Sequence, residues 1–212
     1  RKVHFPSLND LYWNPGGNPD LKPEEGLMLN VSFQKSSTIN NIETDIKVAT
    51  YYGRISDWII WLPENGYWTP SNLALVEQRG LELEISFRLS TKWGVFKYSN
   101  LGSLQFSTNL SERVSGDKSL GKQLIYVPLM QLNERFTWYR NSWELNVNYH
   151  FESKRFTTDD HSSELAAYHI ASIAISRKMK VKSTNVDIGF KIENIFNQEY
   201  QLVQGRPMPG RA

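Results

Sequence analysis

The residues nearest to a metal-ligating set are Asp159, Asp160, His161 and Glu164. Hard cations want several oxygens at fixed positions, whereas these four sit in a polar connecting stretch, where solvated acids are the default. His4, His150 and His169 have no partner at the His-x-x-x-His spacing of a helical metal site. No Gly-x-Ser-x-Gly elbow, phosphate loop or Gly-x-Gly-x-x-Gly turn occurs. The chain has no cysteine, which removes disulfides, thiolate metal sites and thiol catalysis together. No catalytic residue, metal ligand or cofactor is therefore expected, and no enzymatic reaction. The side chains that remain are aromatic: 7 Trp, 10 Tyr and 10 Phe. Trp58, Trp61, Trp138 and Trp143 lie on strand patterns and suit an interfacial girdle. Ligand contact is expected from Trp61, Tyr67 and Trp68, the last two because a loop carries them.

The elements that must position these residues are strands. Trp143, Leu145, Val147, Tyr149 and Phe151 alternate with Glu144, Asn146, Asn148 and His150. The same period of two runs through 81–89, 186–193, 27–34 and 104–110, and no window keeps helical spacing over a comparable length. Strands are predicted over 26–36, 42–61, 73–90, 95–113, 122–140, 142–158, 165–179 and 184–196, with a last one opening near 205–212. The run 42–61 would reach roughly 60 Å at about 3.3 Å per residue, while a bilayer needs about 9–11 strand residues. Short connections (35–41, 90–94, 140–142, 179–183) alternate with long ones (62–72, 114–121, 157–164, 197–205), the arrangement of outer-membrane barrels. Alternation alone leaves open which face is inside: a soluble barrel turns its apolar face in, a membrane barrel turns it out.

Composition adds exclusions. Lys+Arg 24 against Asp+Glu 22 gives no basic field for nucleic acid. No apolar run is long enough for a transmembrane helix. The start, Arg1 to Pro6, has no apolar signal region, so a piece of a longer exported precursor is expected.

Four stretches, in order, resemble motifs of TonB-dependent outer-membrane receptors. The first is Phe5-Pro6-Ser7-Leu8-Asn9-Asp10-Leu11-Tyr12-Trp13 followed by Gly17-Asn18-Pro19-Asp20-Leu21-Lys22-Pro23-Glu24. Its prolines fix an extended path and remove amide donors; Leu21 is expected to pack between them and Glu24 to begin the next strand. The second, Val76 to Glu84, reads as a small residue followed by an alternating Glu strand; an ordinary strand with a glycine bulge would read the same way. The third is Gly121-Lys122-Gln123-Leu124-Ile125-Tyr126-Val127-Pro128. The fourth is Ile192-Glu193-Asn194-Ile195-Phe196-Asn197-Gln198-Glu199-Tyr200 with Gly205-Arg206-Pro207-Met208-Pro209-Gly210-Arg211. In that family such residues (here Asn194, Phe196, Tyr200, Gly205 and Arg206) close the penultimate strand and open the last. Arg54 to Trp61 and Gly205 to Arg211 are most similar to the cobalamin-receptor branch of Bacteroidetes-like bacteria; siderophore and haem receptors share much of this barrel.

The resemblance implies an all-β chain, the C-terminal portion of an antiparallel up-and-down transmembrane β-barrel: about nine strands of a barrel of about 22. It implies that residues 1–212 are barrel wall and that the plug domain, the TonB box and the N-terminal barrel strands lie outside this chain. The implied function is active uptake of cobalamin, siderophore-iron or haem across the outer membrane of a Gram-negative bacterium. The implied partners are outer-membrane lipid, the TonB complex acting through the plug, the transported ligand and a surface lipoprotein. The rival readings are a passive porin or adhesin-type barrel and a soluble β-barrel binder.

Overall fold

The computed structural model describes residues 1–64, 66–112 and 116–212. The predicted loops at 62–72 and 114–121 and the predicted strand end at 113 therefore lie partly outside the described residues. In chain order the elements are β1 (Lys2–His4), α1 (Leu8–Tyr12), β2 (Glu24–Ile39), β3 (Ile42–Glu64), β4 (Tyr67–Thr91), β5 (Gly94–Asn109), β6 (Met130–Arg140) and β7 (Trp143–Glu152). They continue with β8 (Arg155–Phe156), β9 (Glu164–Leu165), β10 (Tyr168–Val181), β11 (Thr184–Ile192), β12 (Gln201–Val203) and β13 (Arg206–Pro207).

Nine strands form one antiparallel sheet in the order β1-β2-β3-β4-β5-β6-β7-β10-β11, and it does not close on itself. β8-β9 and β12-β13 are small separate pairs. Four connections on one end are two residues long, and the chain turns there through positive φ at Asn40 (54°), Gly94 (121°), Asn141 (53°) and Lys182 (57°). Asn and Gly visit this region at low cost. At the other end the connections are long, apart from the β3–β4 tip.

The two faces differ in chemistry. Gln34, Lys47, Glu84, Ser99, Arg135, Asn148 and Ser172, from seven different strands, line one open concavity. The opposite, convex face carries Leu27, Phe33, Val48, Leu83, Phe106, Ile175 and Phe190, all exposed, Leu27 at 72% and Phe190 at 65%. On β4 the outward residues from Leu81 to Leu89 form an apolar band nine residues long, the length that crosses a bilayer. Polar groups interrupt the band: Lys35 stands on this face in register with Ile46 and Ile85, and Glu134 accepts from Tyr98 Oη at 2.9 Å and from Asn100 Nδ2 at 3.4 Å. A curved sheet with a polar hollow and an apolar outside cannot be the wall of a water-soluble barrel, because water would meet the apolar side.

Several expectations change. Residues 62–72 are not a loop: β3 and β4 run on as a two-stranded ribbon paired to Glu64↔Tyr67. The ribbon has lost β2 beyond Ser56 and β5 beyond Val76, so Pro63 and Pro70 need no outer ladder partner. Gly66, at φ +87°, lies between the paired Glu64 and Tyr67. Residues 122–129 are not part of β6; they form an irregular stretch held to β5 by a bridge Thr108↔Gln123. The predicted strand 142–158 ends at Glu152, and that over 184–196 ends at Ile192. Gly80 makes no bulge, since the β3–β4 register is unbroken around Tyr51↔Gly80. A Cβ there would lie 2.5 Å from Tyr51 Oη and 2.6 Å from the Leu104 carbonyl oxygen, so the glycine makes room for a cross-strand ring. Helix α1 was not expected; Ser7 and Asp10 form a capping box at its start.

Candidate functional site

The end with long connections carries a cap over the ribbon. Its first layer is the N-terminal segment, fixed by side chains about 50 residues away. Asp10 accepts from Trp61 Nε1 at 2.8 Å, and Trp13 meets Trp61 edge-on at 5.8 Å. Asn18 Nδ2 donates to the Pro70 carbonyl at 3.1 Å. Asn72 acts as a surrogate strand: its Oδ1 accepts from Lys22 N at 2.9 Å, and its Nδ2 donates to the carbonyls of Lys22 and Asp57. Glu24 begins β2 as expected, and its carboxylate accepts from Ile59 N at 2.8 Å. Leu21 is buried beneath this layer. A Cβ on Gly16 would collide with the Trp68 carbonyl oxygen.

A second layer comes from the 117–128 stretch. Leu124 joins Leu73 and Val76 in a buried cluster, with Trp58, Ile60 and Val127 against it. Leu73 and Val76 are three residues apart, so the ribbon turns its face between them, opposite Asp57 at φ +54°. Asn109 is buried and bonds Ser119 Oγ at 2.8 Å; Gln123 Oε1 accepts from Ser107 N at 2.8 Å. Trp68 meets Tyr126 edge-on at 5.7 Å.

A third layer ties the C-terminal stretch to the connection after β7. Arg155, 5% exposed, donates to the carbonyls of Gln201 (2.8 Å) and Leu202 (3.3 Å). Its Nε lies 2.8 Å from Glu152 Oε1, an ion pair out of line for a hydrogen bond. Tyr200 stacks on Tyr168 at 4.6 Å. Asn194, 3% exposed at φ 47°, accepts from Gln198 N and donates to the carbonyls of Gln198 and Pro209. Phe196 stays 56% exposed, edge-on to His169. Gly205, at φ +78°, turns β12 into β13, where Arg206 is exposed. Glu193 and Ala212 exchange backbone hydrogen bonds, so the chain starts to pair beside β11 after the Gly-Arg stretch.

Of the expected ligand residues, Trp61 and Trp68 share one face of the ribbon and are engaged in the cap. Tyr67 sits on the opposite face at the ribbon tip, 40% exposed, on a strand rather than in a loop. Trp58 is core rather than girdle, whereas Trp138 and Trp143 lie beside the short turns as a girdle requires. Asp160, His161 and Glu164 point to separate partners. Asp160 takes hydrogen bonds from the side chain and backbone of Ser162 and from Thr158, which hold its carboxyl down at about 2. His161 stacks on Phe156 at 3.6 Å and bonds the Gln123 carbonyl; Glu164 pairs with Lys154 at 2.8 Å. The Asp10 carboxyl is raised by burial, but hydrogen bonds from Ser7 and Trp61 outweigh that and leave it lowered. The cap offers stacking surfaces and hydrogen bonds, with no nucleophile and base brought together among the described residues. Sequence reasoning missed Asp10, Asn72 and Arg155. Only the first had a legible signal, the Ser-x-x-Asp pattern at Ser7.

Residues 2–195 match the model of the family "TonB dependent receptor-like, beta-barrel". The chain belongs to that family and is a stretch of outer-membrane barrel wall. It is 26% identical over 200 residues to the vitamin B12 transporter BtuB of Photobacterium profundum, covering 92% of this chain and 30% of that protein. It is 29% identical over 204 residues to BtuB of Vibrio vulnificus (strain YJ016), covering 92% and 29%. Among solved structures, the copper transporter OprC superposes with a TM-score of 0.68 at 15% identity, covering 99% of this chain and 34% of that one. The siderophore receptor PiuA from Acinetobacter baumannii gives 0.67 at 15% identity, covering 93% and 28%. The chain thus spans about a third or less of the relatives it matches.

Proposed function

We propose that this chain is part of the wall of a TonB-dependent receptor that actively takes up a scarce, bulky nutrient, cobalamin or an iron chelate. The observation that carries the reading is the concave polar face, continuous across seven strands and backed by an apolar convex face. Such a hollow suits an enclosed polar plug, with Glu82, Glu84, Glu144 and Asn148 hydrogen-bonding it. The plug, the TonB box and the remaining strands would come from the rest of a longer polypeptide. The relatives named as vitamin B12 transporters support cobalamin first. Ligand would meet the cap end, where Tyr67 keeps exposed ring surface, and a surface lipoprotein would cover the same end.

The test is uptake. Cells lacking the receptor that contains this chain are supplied with labelled cobalamin or ferric chelates, with and without a functional TonB system. Loss of cobalamin accumulation that needs both receptor and TonB supports the reading. Uptake that persists without TonB points to a passive pore and overturns it. Chelate uptake in place of cobalamin uptake moves the ligand and keeps the mechanism.

A further inference from the structure

Along the short-turn rim, the convex face carries cations laid on tryptophans with no carboxylate among them. Trp93, in the β4–β5 turn, has Lys92 Nζ 5.4 Å and Arg140 Cζ 5.5 Å from its ring centre. Arg140 is paired across strands with Trp143, and Trp143 with Arg177, whose Cζ lies 5.1 Å over the Trp143 ring. The order along the rim is therefore Lys92, Trp93, Arg140, Trp143, Arg177. All five side chains are exposed, and the three cations form no ion pair among the described residues.

The strip is rigidly built. Trp138 Nε1 donates to the Trp93 carbonyl at 3.0 Å, and Trp93 N donates to Thr91 Oγ1 at 3.1 Å. Gly94, at φ +121°, is required because a Cβ there would run into the Tyr139 carbonyl oxygen and come within 3.2 Å of Arg140 Cβ. Arg140 and Arg177 are two strand spacings apart, about 10 Å. A cation resting on a ring face keeps its charge and its outward N–H groups for a second partner.

The geometry points to a docking strip for an anionic phospholipid, its phosphodiester held by the guanidinium groups of Arg140 and Arg177 and its acyl chains lying on the apolar band above. Three facts choose this occupant. The strip faces lipid, not the hollow. It lies at the lower edge of the apolar band, at headgroup depth, where tryptophan prefers to sit. It is on the short-turn end, which faces the periplasm in such barrels, so the leaflet it meets is the inner one. Guanidinium forks match phosphate oxygens in pairs, and a row of three free cations favours a headgroup of net negative charge. The inference depends on how the barrel sits in the bilayer, not on which nutrient it carries.

The experiment uses the whole receptor containing this chain, extracted in mild detergent, with phosphatidylglycerol or phosphatidylethanolamine added and bound lipid counted by native mass spectrometry. The expected result is retained phosphatidylglycerol that falls roughly thirtyfold in affinity when Arg140→Gln and Arg177→Gln are combined. Arg140→Lys with Arg177→Lys keeps the charge without the fork and should fall between. The control, Lys178→Gln with Lys180→Gln, removes equal charge from the opposite face of β10 and should leave retention unchanged. Folding of each variant is read from the heat-dependent gel shift of closed barrels, and the lysine pair serves if the glutamine pair fails it. Equal retention of phosphatidylethanolamine, an equal loss in the control, or no loss in either arginine variant would overturn the proposal.

Discussion

Asn72 shows how one side chain can stand in for a strand. Its amide gives and takes the same bonds with Lys22 that a neighbouring peptide would, and adds a bond to the Asp57 carbonyl. Replacing it by alanine leaves a donor and two acceptors without partners, at about 1–3 kcal/mol. We expect Asn72→Ala to release the 10–22 segment, read as faster amide exchange there while the sheet is unchanged. Asp10 makes a second prediction at this scale. Its folded value lies below the usual 3.8. The stability it lends is therefore complete above the unfolded value and lost as pH falls through the folded one. The near-ultraviolet signal of the Trp13–Trp61 pair should fade on acidification below about pH 4, and the fade should be absent in Asp10→Asn. A fade that persists in that variant would mean another group controls the cap.

The β3–β4 ribbon is the element that departs most from its sequence. Its 23 and 25 residues reach roughly 75–83 Å at about 3.3 Å each, far beyond the nine outward-alternating residues of the apolar band. The lower part is a wall shared with β2 and β5; the upper part is a free ribbon that the N-terminal segment and the 117–128 stretch cover. The wall needs close strand contact, and Gly80 provides it by leaving room for Tyr51. Gly80→Val would push a side chain into that ring and the Leu104 carbonyl. We expect a loss of about 1–3 kcal/mol in urea unfolding from lipid vesicles, with a smaller loss in the Gly80→Val, Tyr51→Ala double variant. Strictly additive losses would show that ring and glycine are not coupled.

At the scale of the whole molecule, curvature assigns the faces. Asn146 and Glu144 border the hollow with Arg135, while Leu145 stands on the convex side in register with Trp138 and Ile175. Spin labels at these neighbouring positions in the whole receptor should report opposite surroundings. Leu145 should be relaxed by oxygen dissolved in lipid, and Asn146 should be shielded from it. The reverse pattern would invert the barrel.

The chain's own letters determined the strands, their alternation and the turn ends, because a period of two and an Asn or Gly at positive φ are local properties. They also carried the closing motif: Asn194 makes its bonds to Gln198 within four residues. Local letters misled at 62–72, where Pro63, Asn65 and Pro70 read as loop although the ribbon's open edges tolerate proline. They also misled at 122–129, where the apolar run Leu124 to Val127 read as strand although the stretch meets β5 only through the bridge at Gln123 and a few backbone bonds. Tertiary structure alone decided the rest. Which face is inside depends on the bend of the whole sheet, since inside-out alternation writes the same string. The cap depends on pairs such as Trp61 with Asp10 and Arg155 with Gln201, some 50 residues apart, whose meeting no local propensity encodes.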